Sequence, residues 1–574
     1  MKKLLLSLSS ALLVGLSSQA ATGSGLPSII DYKSSHHPTV AEHGMVVTRQ
    51  YLASRVGRDI LQKGGNAVDA TIASGFALAV VLPVAGNIGG GGFMLVHDAE
   101  SGETIAIDYR EKAPAKAHKD MYLDAEGNVD RQKARFSYMS VGVPGTVAGF
   151  ELAHKKYGKL PWKDLVEPAI RLAEDGFIMN WDLATKLDTR RTHLSQSEAT
   201  KKVFYKEDGS TYKLGDKFVQ QDLAWSLKQI QKHGAKAFYQ GEVGEKLIAA
   251  MKKHGGIISQ QDLKAYQPSV RKVVRGSYRG HDIVAMPLPS SGGVHIIQML
   301  NILEHFPLAE LGSNTAKTIH LMAESMKYAY ADRSKHLGDS DFYDAPVAWL
   351  TSKKYGSNIA KSISLDKVTA STDIQPGIPA APESPETTQI SVVDKWGNAV
   401  SNTYTLNYSF GTGLVAEGTG ILLNNEMDDF SAKPGTPNGY GLIGGEANTI
   451  EPNKRPLSSM TPVMVFKDGK LKLLTGSPGG SRIITAVLQI VSNVIDHDMN
   501  IASATHTPRF HHQWLPDVLF VEPELNQDTV DLLQNMGYKV KRSGTIGATQ
   551  SIQIEDYIYG SADPRRPNAE AAGY

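Results

Sequence analysis

The stretch PGIPAAPESPETTQISVVDKWGNAVSNTYTL, residues 376–406, divides the chain in two and carries the first sign of its chemistry. Pro376, Pro379, Pro382 and Pro385 recur at every third position, which favours an extended, solvent-exposed polyproline-like segment. Such a run reads as a plain linker, and equally as a segment open to cutting at its end. Two runs rich in β-branched residues follow, Gln389 to Asp394 and Ala399 to Leu406. Between them Asp394-Lys395-Trp396-Gly397-Asn398 predicts a hairpin turn, with Gly397 supplying a positive φ. In a hairpin centred on Trp396 opposed positions share an index sum of 792, which sets Thr387 across from Thr405.

That pairing matters because an N-terminal threonine supplies two parts of an acyl-transfer engine. Its hydroxyl is the nucleophile and its own α-amine takes the proton. A free α-amine has a reference pKa of about 7.7–8 and acts as a base near neutrality, whereas a lysine near ~10.4 first needs a large downward shift. A Thr-Thr pair ahead of a strand is also ordinary β structure, so the hairpin register is what singles out Thr387 and Thr405.

Further along, Gly476-Ser477-Pro478-Gly479-Gly480-Ser481 precedes an apolar helix, Ile483 to Ile495. Backbone N–H groups at a helix start favour negative charge, and glycines permit close approach, which suits an oxyanion hole. A simple strand-to-helix turn has the same composition. Gly89 to Gly92 leads into a strand, Phe93 to His97, so the order required for a dinucleotide fingerprint is wrong. His511 and His512 are adjacent and in a strand point to opposite faces. No HExxH or GxSxG pattern occurs, and neither a metal nor a cofactor is expected.

Upstream of the proline run the pattern mixes helices with short strands. Helices are expected at Arg55 to Leu61, Asn66 to Val81, Pro144 to Tyr157, Trp162 to Ala173, Gly293 to Leu303 and Thr315 to Ala331. The first twenty residues read as a secretory signal peptide, with Lys2 and Lys3 ahead of the apolar Leu4 to Leu16 and small residues at Ser18-Gln19-Ala20. That apolar run falls short of the roughly 20 residues a membrane span needs. Of 574 residues 60 are basic and 59 acidic, so charge gives no reason to propose a nucleic-acid partner; a small-molecule substrate is expected instead. Cysteine is absent, which excludes disulfides, cysteine nucleophiles and thiolate metal sites.

Taken together, several blocks make the sequence similar to the γ-glutamyltransferases (γ-glutamyltranspeptidases). They are Gly86 to Phe93, Thr387-Thr388 with Ser391 to Asp394, Thr405-Leu406-Asn407, Leu423 to Phe430, Pro456 to Met460 and Gly479 to Arg482. The resemblance spans most of the chain to Tyr574. It implies an α+β fold, the four-layer αββα sandwich of the N-terminal nucleophile hydrolases. It also implies self-cleavage between Glu386 and Thr387 into a large subunit, 21–386, and a small subunit, 387–574, that remain together as a heterodimer.

By the same resemblance Arg110, with Ser458 and Ser459, would hold the α-carboxylate of a γ-glutamyl substrate. Asn407, Glu426 and Asp429 would receive its α-ammonium, and Gly479 and Gly480 would hold the oxyanion. Asp428 to Gly445 is similar to the lid loop of lid-bearing relatives, with Tyr440 closing over the substrate. Many bacterial relatives carry glutamine where Glu426 stands. The implied activity is γ-glutamyl transfer and glutathione hydrolysis, with amino acids or dipeptides as acceptors, in an exported, periplasmic protein. Two rivals stand beside it: an acylase of the same fold that cuts glutaryl amides, and an unprocessed secreted binding protein. Arg110 and Asp429 speak against the first, Thr387, Thr405 and Gly479-Gly480 against the second.

Overall fold

Val46 and Val47, neighbours on one short strand, point into two different apolar cores, and this alternation is the plan of the molecule. The computed structural model describes residues 34–374, 387–439 and 441–574. Fourteen of its strands build two seven-stranded antiparallel sheets. In chain order they are β1 (Thr39–Ala41), β2 (Met45–Thr48), β3 (Gly91–His97), β4 (Thr104–Asp108), β5 (Ser269–Lys272), β6 (Val274–Tyr278) and β7 (His281–Ala285). The later seven are β8 (Thr388–Val393), β9 (Ala399–Thr405), β10 (Val463–Lys467), β11 (Lys470–Thr475), β12 (Gln550–Ile554), β13 (Ile558–Ala562) and β14 (Glu570–Gly573). The first sheet runs β14-β2-β8-β9-β3-β4-β5 and the second β1-β13-β12-β11-β10-β7-β6.

Helices α1 (Tyr51–Gln62) and α2 (Ala67–Val81) cover the outer face of the first sheet. On the second sheet α3 (Gly292–Leu303) lies over β6 and β7, with α4 (Ala316–His336) and α5 (Arg482–Ile495) packed against it. The result is the four-layer αββα sandwich. Every residue of α2 is buried, as its alanine-rich run predicts, and burial of Ile72, Phe76 and Leu78 contributes on the order of 1.5–3 kcal/mol each. An Asn66–Asp69 capping box starts this helix, and the hairpin-tip carboxylate of Asp394 accepts from Ala67 N at 2.9 Å.

Where the sheets meet around β8 the interface is polar rather than oily. Gln389 donates to Ser391 and Ser401 at 3.1 and 3.0 Å and accepts from Thr403 at 2.5 Å. Ser391 and Ser401 then donate across to the carbonyls of Gln550 and Thr475, at 2.8 and 3.2 Å. The Gln389, Ser391, Ser401 and Thr403 side chains bond one another and the facing carbonyls, which is what lets such a seam be tolerated.

The expected helices form, with shifted ends. The one expected at Thr315 to Ala331 continues through His336 as α4, and Pro168 is accommodated inside Trp162–Glu174. The signal peptide expected over residues 1–20 lies outside the described residues, as do Glu386 and Tyr440. Among the described residues no helix is long and apolar enough to cross a membrane.

Candidate active site

The hairpin forms in the expected register. Thr388 faces Tyr404 and Val393 faces Ala399, an index sum of 792 without a bulge, and Gly397 turns the tip at φ 89°. Thr387, one residue ahead of β8, therefore meets Thr405 at the end of β9. Its hydroxyl donates to Thr405 Oγ1 at 3.4 Å, and Thr405 Oγ1 also accepts from Asn407 N at 2.9 Å. Both threonines are 3% exposed. Arg49, just past β2, places Nη1 3.5 Å from the Thr387 carbonyl. The sequence reading missed this residue, because nothing in its local pattern shows that β2 lies beside β8 in the sheet.

The turn between β11 and α5 closes the same end. Gly479 and Gly480 adopt φ of 140° and 56°, conformations that L side chains rarely take, so the glycines are required by the backbone path. Among the described residues neither of their N–H groups has a hydrogen-bond partner, and both sit at the positive end of α5. Tyr330 of α4 pins the turn by donating its hydroxyl to the Ser481 carbonyl.

The other end of the cleft is charged. Arg110 follows β4 and is wholly buried; its N–H is held by Asp108 at 2.9 Å and its carbonyl by the Tyr266 hydroxyl at 2.9 Å. Its guanidinium bonds Glu426 through Nη1 and Asp429 through Nη2, the latter at 2.5 Å. Both carboxylates stand on one short 3-10 turn, Glu426–Asp429. Glu111 lies behind, 3.7 Å from the same Nη1. Burial pushes all three carboxyls above the usual carboxylate range, Glu111 to about 8, while Arg110 draws each of them back down. For Arg110 burial works against the charge, but the three carboxylates outweigh it and hold its pKa above the ordinary value.

Ser458 and Ser459 complete this end. Ser458 Oγ accepts from Met460 N at 3.1 Å and Ser459 Oγ accepts from Arg333 Nη2 at 3.4 Å. With a lone pair used on each oxygen, both hydroxyl protons remain to be donated, as carboxylate recognition requires. Arg110, Thr387, Thr405, Asn407, Glu426, Asp429, Ser458, Ser459 and Gly480 line one narrow cleft, together with Arg333 and the apolar Leu442, Met460 and Ile483. Arg333 was not foreseen, because the helix that carries it was expected to stop two residues short.

The family model for gamma-glutamyltranspeptidase matches residues 53–573. The chain belongs to the gamma-glutamyltranspeptidase family. A glutathione hydrolase proenzyme of Escherichia coli K12 is 53% identical over 541 residues, covering 94% of this chain and 93% of that one. The solved gamma-glutamyltranspeptidase of Helicobacter pylori is 50% identical with a TM-score of 0.56, covering 57% of this chain and 93% of that chain. A cephalosporin acylase from Bacillus halodurans shares the whole fold at 26% identity, with a TM-score of 0.83 over 96% of this chain and 99% of that one.

Within this gamma-glutamyltranspeptidase scaffold the adjacent histidines are structural. His511 is flanked by Thr485 and Gln513, each at 2.9 Å, and burial lowers its pKa to about 3. His512 turns instead toward Asp517 at 3.3 Å. In the loop after Asp429, Gly439 N donates to Asp428 at 3.0 Å and Asn438 reaches Asp429 at 3.5 Å, which ties this loop to the acidic turn.

Proposed function

We propose that this chain is the precursor of a γ-glutamyltransferase and glutathione hydrolase that cuts itself ahead of Thr387 and then uses Thr387 as nucleophile. The carrying observation is that a threonine at a strand start shares one cleft with a guanidinium, two carboxylates and two serine hydroxyls. That set matches an amino-acid head group attached to a reacting amide. In maturation the Thr387 hydroxyl attacks the Glu386 carbonyl, the peptide bond becomes an ester and frees the Thr387 amine, and water hydrolyses the ester to leave a Glu386 carboxylate. The products are a large subunit, 21–386, once residues 1–20 have been removed on export to the periplasm, and a small subunit, 387–574. The coverage of the Helicobacter pylori chain, nearly complete while spanning little more than half of this one, supports division into two chains.

In turnover the free α-amine accepts the hydroxyl proton as Thr387 Oγ1 attacks the γ-carbonyl. Gly479 and Gly480 N–H groups receive the oxyanion, and the amine leaves with the proton returned to it. The γ-glutamyl ester on Thr387 then passes to water or to the amine of an amino acid or dipeptide. Arg110, Ser458 and Ser459 take the substrate α-carboxylate; Asn407, Glu426 and Asp429 take its α-ammonium, and Tyr440 of the lid closes over it. An acylase for glutaryl amides fits less well, since its substrate brings no ammonium to the buried Glu426 and Asp429.

The test is direct. Purified protein on a denaturing gel is expected to show two bands, the smaller beginning at Thr387, and to release p-nitroaniline from γ-glutamyl-p-nitroanilide. Thr387→Ala is expected to remain one chain without turnover. Cleavage of that variant at the same bond without added protease refutes the self-processing reading.

A further inference from the structure

Arg333 stands in the last turn of α4, 5% exposed, and lines the same cleft as Arg110. Its Nη2 donates to Ser459 Oγ at 3.4 Å. Its Nε donates to Ser291 Oγ at 3.1 Å, and Ser291 in turn donates to the Ser458 carbonyl through both its hydroxyl and its N–H, at 2.8 Å each. One guanidinium therefore braces both serines that face the substrate. Its place is fixed by the helix: Tyr330, three residues earlier on α4, holds the oxyanion turn through the Ser481 carbonyl.

Two consequences follow from chemistry alone. A guanidinium donates and never accepts, so Ser459 Oγ accepts from Arg333 and its own proton is turned elsewhere, toward the cleft. Charge gives the second. Arg110 already faces Glu426, Asp429 and Glu111, so a substrate carboxylate arriving there meets a site whose positive charge is spent. Arg333 supplies a second fixed positive charge, and Asp429 feels it as an attraction.

We propose that Arg333 is a positioning residue for the donor head group: it orients the Ser459 hydroxyl and restores the positive charge that lets the cleft accept an α-carboxylate beside two acidic side chains. The proposal rests on the γ-glutamyl reading above and adds a residue that decides which amides bind. Head groups with both carboxylate and ammonium bind well; those lacking the carboxylate gain nothing from Arg333.

The experiment compares γ-glutamyl-p-nitroanilide with 4-aminobutyryl-p-nitroanilide, which keeps the ammonium and lacks the α-carboxylate. Binding is read as KM for the first and as a competitive inhibition constant for the second. Arg333→Gln is expected to raise KM for the γ-glutamyl anilide about ten- to a hundredfold with kcat nearly unchanged, and to alter binding of the 4-aminobutyryl anilide by less than about threefold. Arg333→Lys keeps the charge but not the fork of donors, and is expected to recover part of the loss. Ser459→Ala, which leaves Arg333 in place, is expected to show the same selectivity on a smaller scale. Equal losses on both anilides, or an unchanged KM in Arg333→Gln, overturn the proposal. If Arg333→Gln does not fold, a Ser459→Ala variant without selective loss overturns it as well. A wild-type protein inactive on the γ-glutamyl anilide would instead count against the function proposed above, so the two failures are distinguishable.

Discussion

Thr387 and Thr405 reach one end of the cleft from adjacent strands of a seven-stranded sheet, whereas Arg110, Glu426, Asp429 and Ser459 reach the other end from three separate loops. The two threonine side chains at the nucleophile end are neutral. Their hydroxyls bond one another and a backbone N–H, so burying them costs little. The head-group end is ionic and nearly dry, and buried charges are costly unless paired. It meets that condition without a ligand, because Arg110 bonds Glu426 and Asp429 directly. On the proposed function, binding a zwitterionic head group there would be an exchange of ion pairs, in which the ammonium would take over the carboxylates and the carboxylate would take over the guanidinium. Regular structure thus holds the part that must react, and loops hold the part that must trade partners.

Three substitutions test this division. The largest effect is expected at the neutral end. Thr405→Ala removes the hydroxyl that receives the Thr387 proton contact, and should slow both self-cleavage and γ-glutamyl transfer by about 10²–10⁴-fold, while Thr405→Ser spares much of each. The rate at which subunits appear in folded precursor decides it, and a wild-type rate would leave Thr405 as strand filling only. An intermediate effect is expected at the charged end. Asp429→Asn takes one partner from the substrate ammonium and from Arg110, and a charge-assisted bond is worth about 1.5–3 kcal/mol. That corresponds to roughly a ten- to hundredfold fall in kcat/KM for γ-glutamyl substrates, with a much smaller fall for glutaryl ones. Equal falls would make Asp429 structural.

The smallest effect belongs to Glu426→Gln. Burial raises the carboxyls around Arg110, so the crowded cluster takes up protons at higher pH than isolated carboxylates do. A group whose pKa is raised by folding contributes stability that is full below its unfolded value near 4.5. That contribution is lost as pH rises through the folded value, here up to about 8 for Glu111. Removing one carboxyl relieves the loss, so the Tm of Glu426→Gln minus that of wild type should grow from about pH 5 to about pH 9. Turnover at pH 7 should change by less than about tenfold. A Tm difference that stays flat with pH would mean that folding does not raise the Glu426 carboxyl.

The neutral end was legible in the sequence because strands impose a period and a register. Trp396 at the tip, a glycine beside it and β-branched flanks were enough to bring Thr387 to Thr405 across eighteen residues. Helices were legible for the same reason, and their ends were less so. The end of α4 was placed at Ala331, which hid Arg333. At the charged end no period connects Arg110 with Glu426, 316 residues away, or with Ser459. Only the resemblance to a family brought those positions together, and it says nothing about a residue outside its motifs. Arg49 shows the remaining limit. Its contact with the Thr387 carbonyl comes from β2 lying beside β8, a neighbour relation that no local pattern encodes.

The strand order has a mechanical consequence. A break ahead of Thr387 would sort β1 through β7 into one piece and β8 through β14 into the other, yet the two sheets interleave them. Among the described strands five ladders would then join separate molecules: β14 with β2, β2 with β8, β9 with β3, β1 with β13 and β10 with β7. Such pieces are woven rather than docked. Both large apolar cores take side chains from both pieces. Parting them requires undoing both sheets at once, so the severed protein should melt as one unit. Its halves, expressed singly, would be expected to collapse or aggregate rather than wait for each other.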